Sequence, residues 1–502
     1  MGSEGSTGER RGERIADALD KRLPVYDGAG GLLRKAFPDH WSFLLGELAL
    51  YSLIVLLLTG TWLTFFFDPD MGEVVYSGSY TPLRGTPVSA AFDSTLRISF
   101  DVRGGLLIRQ AHHWAALVFV AAIGAHMLRV FFTGAFRRPR EANWMVGVTL
   151  FVLALTEGFA GYSLPDDLLS GTGLRIAQGI MQSIPVVGTY VAMFAFGGEF
   201  PGHDIIPRLY PVHILLVPGA LIALLTVHLI LVFHLKHTQW RGPGRTNGNI
   251  VGKPLFPQFA ASSAGLSLIT AGVLFVLAAV AQINPVWLFG PYRPDQVSTG
   301  SQPDWYVGFL EGALRLMPPW ETNFAGHTFM GNVLIPAIVL PGLIFMLLYV
   351  YPFVEQRLTG EGRREQHLCD RPRERPVRTG LGVAAVVFYA VLLLAGANDI
   401  VAQSFRVSVN ALTWVLRVGL VVGPVLAFLV TRSLCRALLA AEREELAEGV
   451  ENGEVRQGLT GGYESDHRPV ERFRPGAPRR LSGPSRTGTP DQEPRAPEHH
   501  SR

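Results

Sequence analysis

"RQAHHWAALVFVAAIGAHMLRVFF", residues 109–132, is apolar over a length that spans a bilayer, yet it holds three histidines and two arginines. About 20 apolar residues in a helix cross ~30 Å of hydrocarbon. Ionisable groups inside such a segment are costly and usually functional. Fold and chemistry both turn on why imidazoles stand where lipid should be.

The surrounding chain has the composition of a membrane protein. Of its 502 residues 48% are apolar and 17% charged, and the mean hydropathy is positive. This describes an all-α polytopic membrane protein, because helices satisfy their own backbone in lipid. Eight segments are long enough to cross: 43–66, 110–133, 143–163, 211–234, 262–284, 333–351, 379–397 and 411–434. The polar start, "MGSEGSTGERRGERIADALDKRL", has no apolar core for signal cleavage, so the first crossing is expected to be retained.

Loop charge gives the orientation, since Lys and Arg in short loops stay cytoplasmic. "FRRPRE", "KHTQWRGPGRTNGNIVGK" and "RLTGEGRREQHLCDRPRERPVR" follow the second, fourth and sixth spans. The alternate loops, 67–109, 164–210 and 285–332, are longer and more acidic, and are expected to face outward. Both termini are then expected to lie in the cytoplasm. Residues 438–502, rich in Arg, Glu, Pro and Gly, read as a disordered tail. Cys369 and Cys435 lie in or beside charged segments, which excludes a disulfide framework or thiolate cluster. A net charge of +3 gives no sign of a nucleic-acid partner.

His126 follows His112 by 14 residues, which differ by about 40° around a helix, whereas His113 and His126 differ by about 140°. Only His112 shares a face with His126. In the fourth span His213 and His228 are 15 apart, about 60° from one face. The rises are ~21 and ~22 Å. The second and fourth spans run in the same direction, so His112 lies level with His213 and His126 with His228. A zinc site wants three or four ligands converging at one point. Two levels of two imidazoles suit six-coordinate haem iron that carries electrons.

Glycines repeat the period. Gly46 and Gly60 in the first span are 14 apart, as are Gly147 and Gly161 in the third. A porphyrin wedged in a bundle needs neighbouring positions without side chains, although helix packing is the plainer use of glycine. Haem propionates need cations, and Arg109, Arg129 and Arg208 stand near the histidines. Snorkelling at a helix end accounts for each arginine equally.

These spacings, with "GYSLPDD" at 161–167, "IPVVGT" at 184–189 and "PDWY" at 303–306, resemble cytochrome b of the quinol–cytochrome c reductase (cytochrome bc) complexes. The likeness covers about residues 35–435. "FPDHWSFLLGE", "FDVRGGLLIRQ", "FGGEFPG" and "GANDI" make it similar to the actinobacterial menaquinol-oxidising type. The resemblance implies a cytoplasmic segment 1–37, a dihaem four-helix domain 38–240 formed by the first four spans, a C-terminal four-helix domain 241–437 and the tail. It implies two non-covalent b-type haems, an outer one on His112 and His213 and an inner one on His126 and His228. It implies a translocase in which quinol at an outer site gives one electron to a Rieske iron–sulfur subunit and the other, through the haems, to a quinone site at the cytoplasmic face. A cytochrome c subunit, expected to be dihaem, a homodimer and a supercomplex with a terminal oxidase are further expected partners. No CxxCH motif occurs in the chain, so those redox centres belong to other subunits.

By the same resemblance PDWY marks the outer quinol site. Asp304 is a carboxylate able to take a quinol proton, Tyr306 a hydrogen-bond donor, and Pro303 and Trp305 shape the approach. Many relatives carry Glu where Asp304 stands. Gly173 and Ile184 match the pocket's helical lining, and Lys236, with His234 and His237, is the candidate for the inner quinone site, where a positive-inside loop explains it as well. Glu157, alone in the third span, either pairs with Arg109, reaches water or extends a proton path from Asp304, and the structural pairing is preferred. A dihaem anchor of another quinone-linked oxidoreductase would have fewer spans and no PDWY. A transporter would have midplane charges on broken helices instead of matched histidine pairs.

Overall fold

The computed structural model of the chain describes residues 33–296, 302–324, 326–448, 450–457 and 463–468. Eight helices among them are long and apolar enough to cross a membrane. They are α1 (Leu45–Leu63), α2 (Gly105–Thr133), α3 (Glu141–Tyr162), α4 (Ile205–Leu235), α5 (Leu255–Val280), α6 (Gly331–Thr359), α7 (Pro376–Gly396) and α8 (Val409–Glu448). Each coincides with an expected span, and the differences lie at the ends. There helices continue through polar turns that an apolar window misses, as α6 does through Glu355 and Arg357. α8 likewise runs past 437, where the tail was expected to begin, and strands Val450–Gln457 and Tyr463–Arg468 pair antiparallel beyond it. Residues 1–32 and 469–502 of the expected terminal segments lie outside the described residues.

Lipid tails are as apolar as leucine, so membrane helices associate through close packing and not by expelling water. Many buried positions are accordingly small, among them Ala49, Ser52 and Thr59 on α1, Ala111, Ala115 and Ala122 on α2, and Ala154 and Ala160 on α3, beside larger Leu53, Phe119 and Trp144. Leu58, Leu215, Ile230 and Leu347 are exposed on the outer surface of the spans. α1 packs on α2 and α3 on α4, with α2 beside α3, while α5 leans on α1 and α2 and α7 packs on α8. Gly104 and Gly134, both left-handed, bound α2. Gly134 donates to Phe131 and Ala135 to Val130, which satisfies the last carbonyls of the helix.

Loops gather by parity at opposite ends. After α3 and α5, Leu168 donates to Gly290 and Tyr292 to Asp166. After α2, α4 and α6, Arg140 meets His367, Arg137 meets Glu361 and the Gln239 backbone N–H donates to the His367 carbonyl at 2.8 Å. The basic loops thus share one end, as positive-inside counting requires. Helix Ala90–Phe100, capped by the Ser89 side chain, forms with Tyr76, Val88 and Val286 a small core over the other end.

Candidate functional site

The four histidines meet the four glycines one to one. A methyl added at Gly60 would touch His112 Cε1 at 3.0 Å, and one at Gly46 would touch His126 Cε1 at 3.2 Å. One at Gly161 would overlap the His213 ring, and one at Gly147 would lie 3.8 Å from His228 Cε1. The repeat therefore clears room for the imidazoles themselves, where the sequence suggested the porphyrin. α1 serves α2, and α3 serves α4.

His112 and His213 face each other with ring centres 6.2 Å apart and planes at 82°. A metal–imidazole bond of ~2.0–2.1 Å, with ~1.1 Å from nitrogen to ring centre, places two rings bound in line on one ion ~6.3 Å apart. The spacing of the pair leaves room for one metal ion between the two rings. The Thr59 hydroxyl gives its proton to Val55 O at 2.6 Å and accepts from His112 Nδ1 at 2.9 Å. His213 Nδ1 donates to Glu157 Oε1 at 3.0 Å. With both Nδ1 atoms protonated, both Nε2 atoms are left bare for a metal. At the other level the Nδ1 atoms of His126 and His228 are buried without a hydrogen-bond partner. Among the described residues no three His, Cys, Asp or Glu side chains cluster as metal ligands.

The unequal spacings are reconciled in α4. Residues Val212–Leu216, which include His213, form a π-helical turn between Pro211 and Pro218. Such a turn takes up one extra residue. Fifteen residues then subtend what fourteen do in α2, which brings both pairs to about the same 40° offset.

A cavity of about 470 Å³ opens at the His112 end, lined by His112, His213, Gly60, Gly161, Arg109, Asp304 and Tyr306 among others. Arg109 lies over Trp287, and its buried Nε and Nη2 lack a protein partner, as a carboxylate-binding group would. Arg129 lies over the Phe43 ring at 4.1 Å with Nε unpartnered. Arg208 stands outside the cavity lining: it is exposed and paired at 2.8 Å with Asp204, one helical turn away.

PDWY is placed by contacts far apart in sequence. The Gln110 amide on α2 accepts from Ile283 N and donates to Ile283 O, both at 2.8 Å, and Trp114 donates to Ala281 O. Helix Gly308–Leu316 docks backbone to backbone on α7, where Gly312 and Gly396 leave no room for a methyl. So held, Asp304 lies 3.0 Å from His113 Nε2 and accepts from the Tyr306 phenol at 3.1 Å. Burial, with the Asp304 carboxylate alongside, holds the Tyr306 pKa well above its usual value, so the phenol stays a donor. Tyr306 fits because Gly158 has no side chain: a methyl there would lie 2.7 Å from Cζ.

Other expected residues stand further off. Pro303 is half-buried beside Asp304, whereas Trp305 is 38% exposed and points away from the cavity, since its neighbour Tyr306 takes the inward position. Gly173 packs against Tyr162, which lines the cavity, and so stands one layer behind it. Ile184 is half-buried in the turn after helix Leu168–Gln182, outside the lining. Lys236 is exposed at the end of α4. Its neighbour His237 stacks on Phe37 at 4.5 Å, and burial with nearby Lys35 lowers its pKa to about 4. Glu157 pairs with His213 and not with Arg109, because the π-helical turn brings that imidazole alongside it.

Known proteins resemble this chain in sequence and in fold. The family described as Cytochrome b(N-terminal)/b6/petB matches residues 117–291. The cytochrome bc1 complex cytochrome b subunit of Streptomyces coelicolor is 54% identical over 459 residues, 91% of this chain and 84% of that one. The subunit of the same name from Mycobacterium leprae is 51% identical over 458 residues, 91% and 83% of the two chains. A solved structure titled Hyperthermophilic respiratory Complex III shares the fold, with a TM-score of 0.62 at 20% identity over 84% of this chain and 98% of that one. Eight apolar spans define a multi-pass membrane protein whose helices enclose a histidine-lined cavity. The chain belongs to the cytochrome b family, with the actinobacterial cytochrome bc1 complex cytochrome b subunits as relatives. Membership implies b-type haem.

Proposed function

We propose that the chain is the cytochrome b subunit of a respiratory quinol–cytochrome c reductase that oxidises menaquinol at the His112 end, facing outward, and reduces quinone at the cytoplasmic end. Both termini are then cytoplasmic. Residues 38–240 hold two b-type haems, on His112 with His213 and on His126 with His228, and residues 241–437 carry the quinol-site loop. Bound there, each haem supplies a one-electron couple within the membrane. Thr59 and Glu157 orient the outer imidazoles, and Arg109 is placed to meet a propionate. Arg129 stands correspondingly near His126.

Asp304 accepts a quinol hydroxyl proton, oriented by the Tyr306 phenol, and His113 offers the next acceptor at hydrogen-bond distance. Separating the quinol's two electrons needs a Rieske partner and a cytochrome c subunit, which these cysteine-poor spans do not provide. The dimer, the supercomplex and the contribution to proton-motive force belong to the same reading. Its main support is one observation: the His112–His213 pair and the His113–Asp304–Tyr306 cluster open on a single cavity. In the purified complex, Asp304→Asn is expected to slow menaquinol oxidation by ~10²- to 10⁴-fold, the usual range for a lost general base, with both haem bands intact. Unchanged turnover would overturn the reading.

A further inference from the structure

The four imidazoles are not held alike. His213 Nδ1 lies 3.0 Å from Glu157 Oε1 and 3.3 Å from the Glu157 carbonyl oxygen, so its N–H is shared with a carboxylate. His112 Nδ1 donates to the neutral Thr59 hydroxyl. Neither His126, whose Nδ1 is unpartnered, nor His228, which faces the Asn143 backbone, meets a carboxylate among the described residues. Glu157 in turn has no cation but His213 within ion-pair distance among the described residues, and its Oε2 is buried and unpartnered. A single carboxylate thus acts on one ligand of one level.

We propose that Glu157 is a positioning residue which, through His213, holds the potential of the outer haem below that of the inner one. This rests on the two-haem reading above. A ligand imidazole that donates its second N–H to a carboxylate becomes more basic and binds the oxidised metal more strongly. Hydrogen bonding and charge beside an axial ligand are recognised means of setting haem potential. The site is poorly screened, because Glu157 and His213 are 18% and 17% exposed and lie among apolar spans. Hydroxyl-bonded His112 and the inner pair, which meets no carboxylate, lack this effect. The resulting difference favours electron movement from the His112 level to the His126 level, the direction the quinol site demands.

The test is a redox titration of both b haems in the purified complex, wild type against Glu157→Gln, with the outer haem identified as the one lost in His112→Ala. Glutamine keeps a hydrogen-bond acceptor and removes the charge. The expected result is at least a tenfold shift of the outer ferric-to-ferrous ratio toward ferrous, or 59 mV for one electron, with the inner haem unmoved and two haems per chain retained. An unmoved outer potential, or an equal shift of both, overturns the proposal and leaves the two-haem reading standing. A wild-type complex with a single haem defeats that reading instead. If the Gln variant loses its outer haem, Glu157→Asp decides: a shorter carboxylate drawn back from Nδ1 should raise the outer potential by a smaller step, and no shift overturns the proposal.

Discussion

A methyl group added at Gly161 tests the pairing of glycines with imidazoles most sharply. The new carbon would overlap His213, with Nε2 at 2.9 Å and Nδ1 at 3.0 Å. The ring cannot step aside freely, because Glu157 holds its Nδ1 at 3.0 Å. Overpacking a tight site costs ~1–3 kcal/mol. At tenfold per ~1.4 kcal/mol, that is a ~5- to 150-fold weaker outer-haem affinity. Gly147→Ala is the matched control, since its methyl would sit 3.8 Å from His228, in ordinary contact. Haem per chain is measured in the purified complex by reduced-minus-oxidised absorbance during a haem-extraction series. Gly161→Ala is expected to shed the outer haem early, and Gly147→Ala to keep both. Equal loss in the two variants, or none in Gly161→Ala, would refute the steric reasoning.

Two further outcomes follow from single side chains. Arg109→Ala removes a buried guanidinium and is expected to weaken outer-haem retention by ~1.5–3 kcal/mol, the range for charge-assisted hydrogen bonds, while Arg208→Ala leaves both haems in place. The same extraction series checks this. Burial raises the Asp166 carboxyl from 3.8 to about 7. The folded state therefore binds its proton more tightly than the unfolded state does, and stability contributed at low pH is lost as pH rises from about 4 through 7. Thermal-inactivation midpoints should fall across that window in wild type and fall less in Asp166→Asn.

Much of this was legible in the sequence because it is local. Apolar runs located all eight spans, and helical period linked His112 to His126. The offset of His213 and His228 was less clear, since a π-helical turn leaves no mark on residue type. Period also set His113 aside as facing away from His126. It does face away, toward Asp304, and that contact spans 191 residues. Gln110, Thr59 and Gly158 went unnoticed for the same reason: their value lies in what packs against them. The doubled histidine and the glycine one turn before Gly161 were the signals available. Arg208 and Trp305 fall outside the cavity lining, which sequence could not show, since proximity in sequence says nothing about which way a side chain turns at a helix end or in a loop.

The central claim is that two histidine pairs on α2 and α4 each hold one haem. A reduced-minus-oxidised spectrum with redox titration of the purified wild-type, His112→Ala and His126→Ala complexes tests it. Two b-type haems per chain of unequal potential, with a different one lost in each variant, is the predicted result. One haem in the wild type, or loss of both from either variant while the complex stays folded, would contradict it.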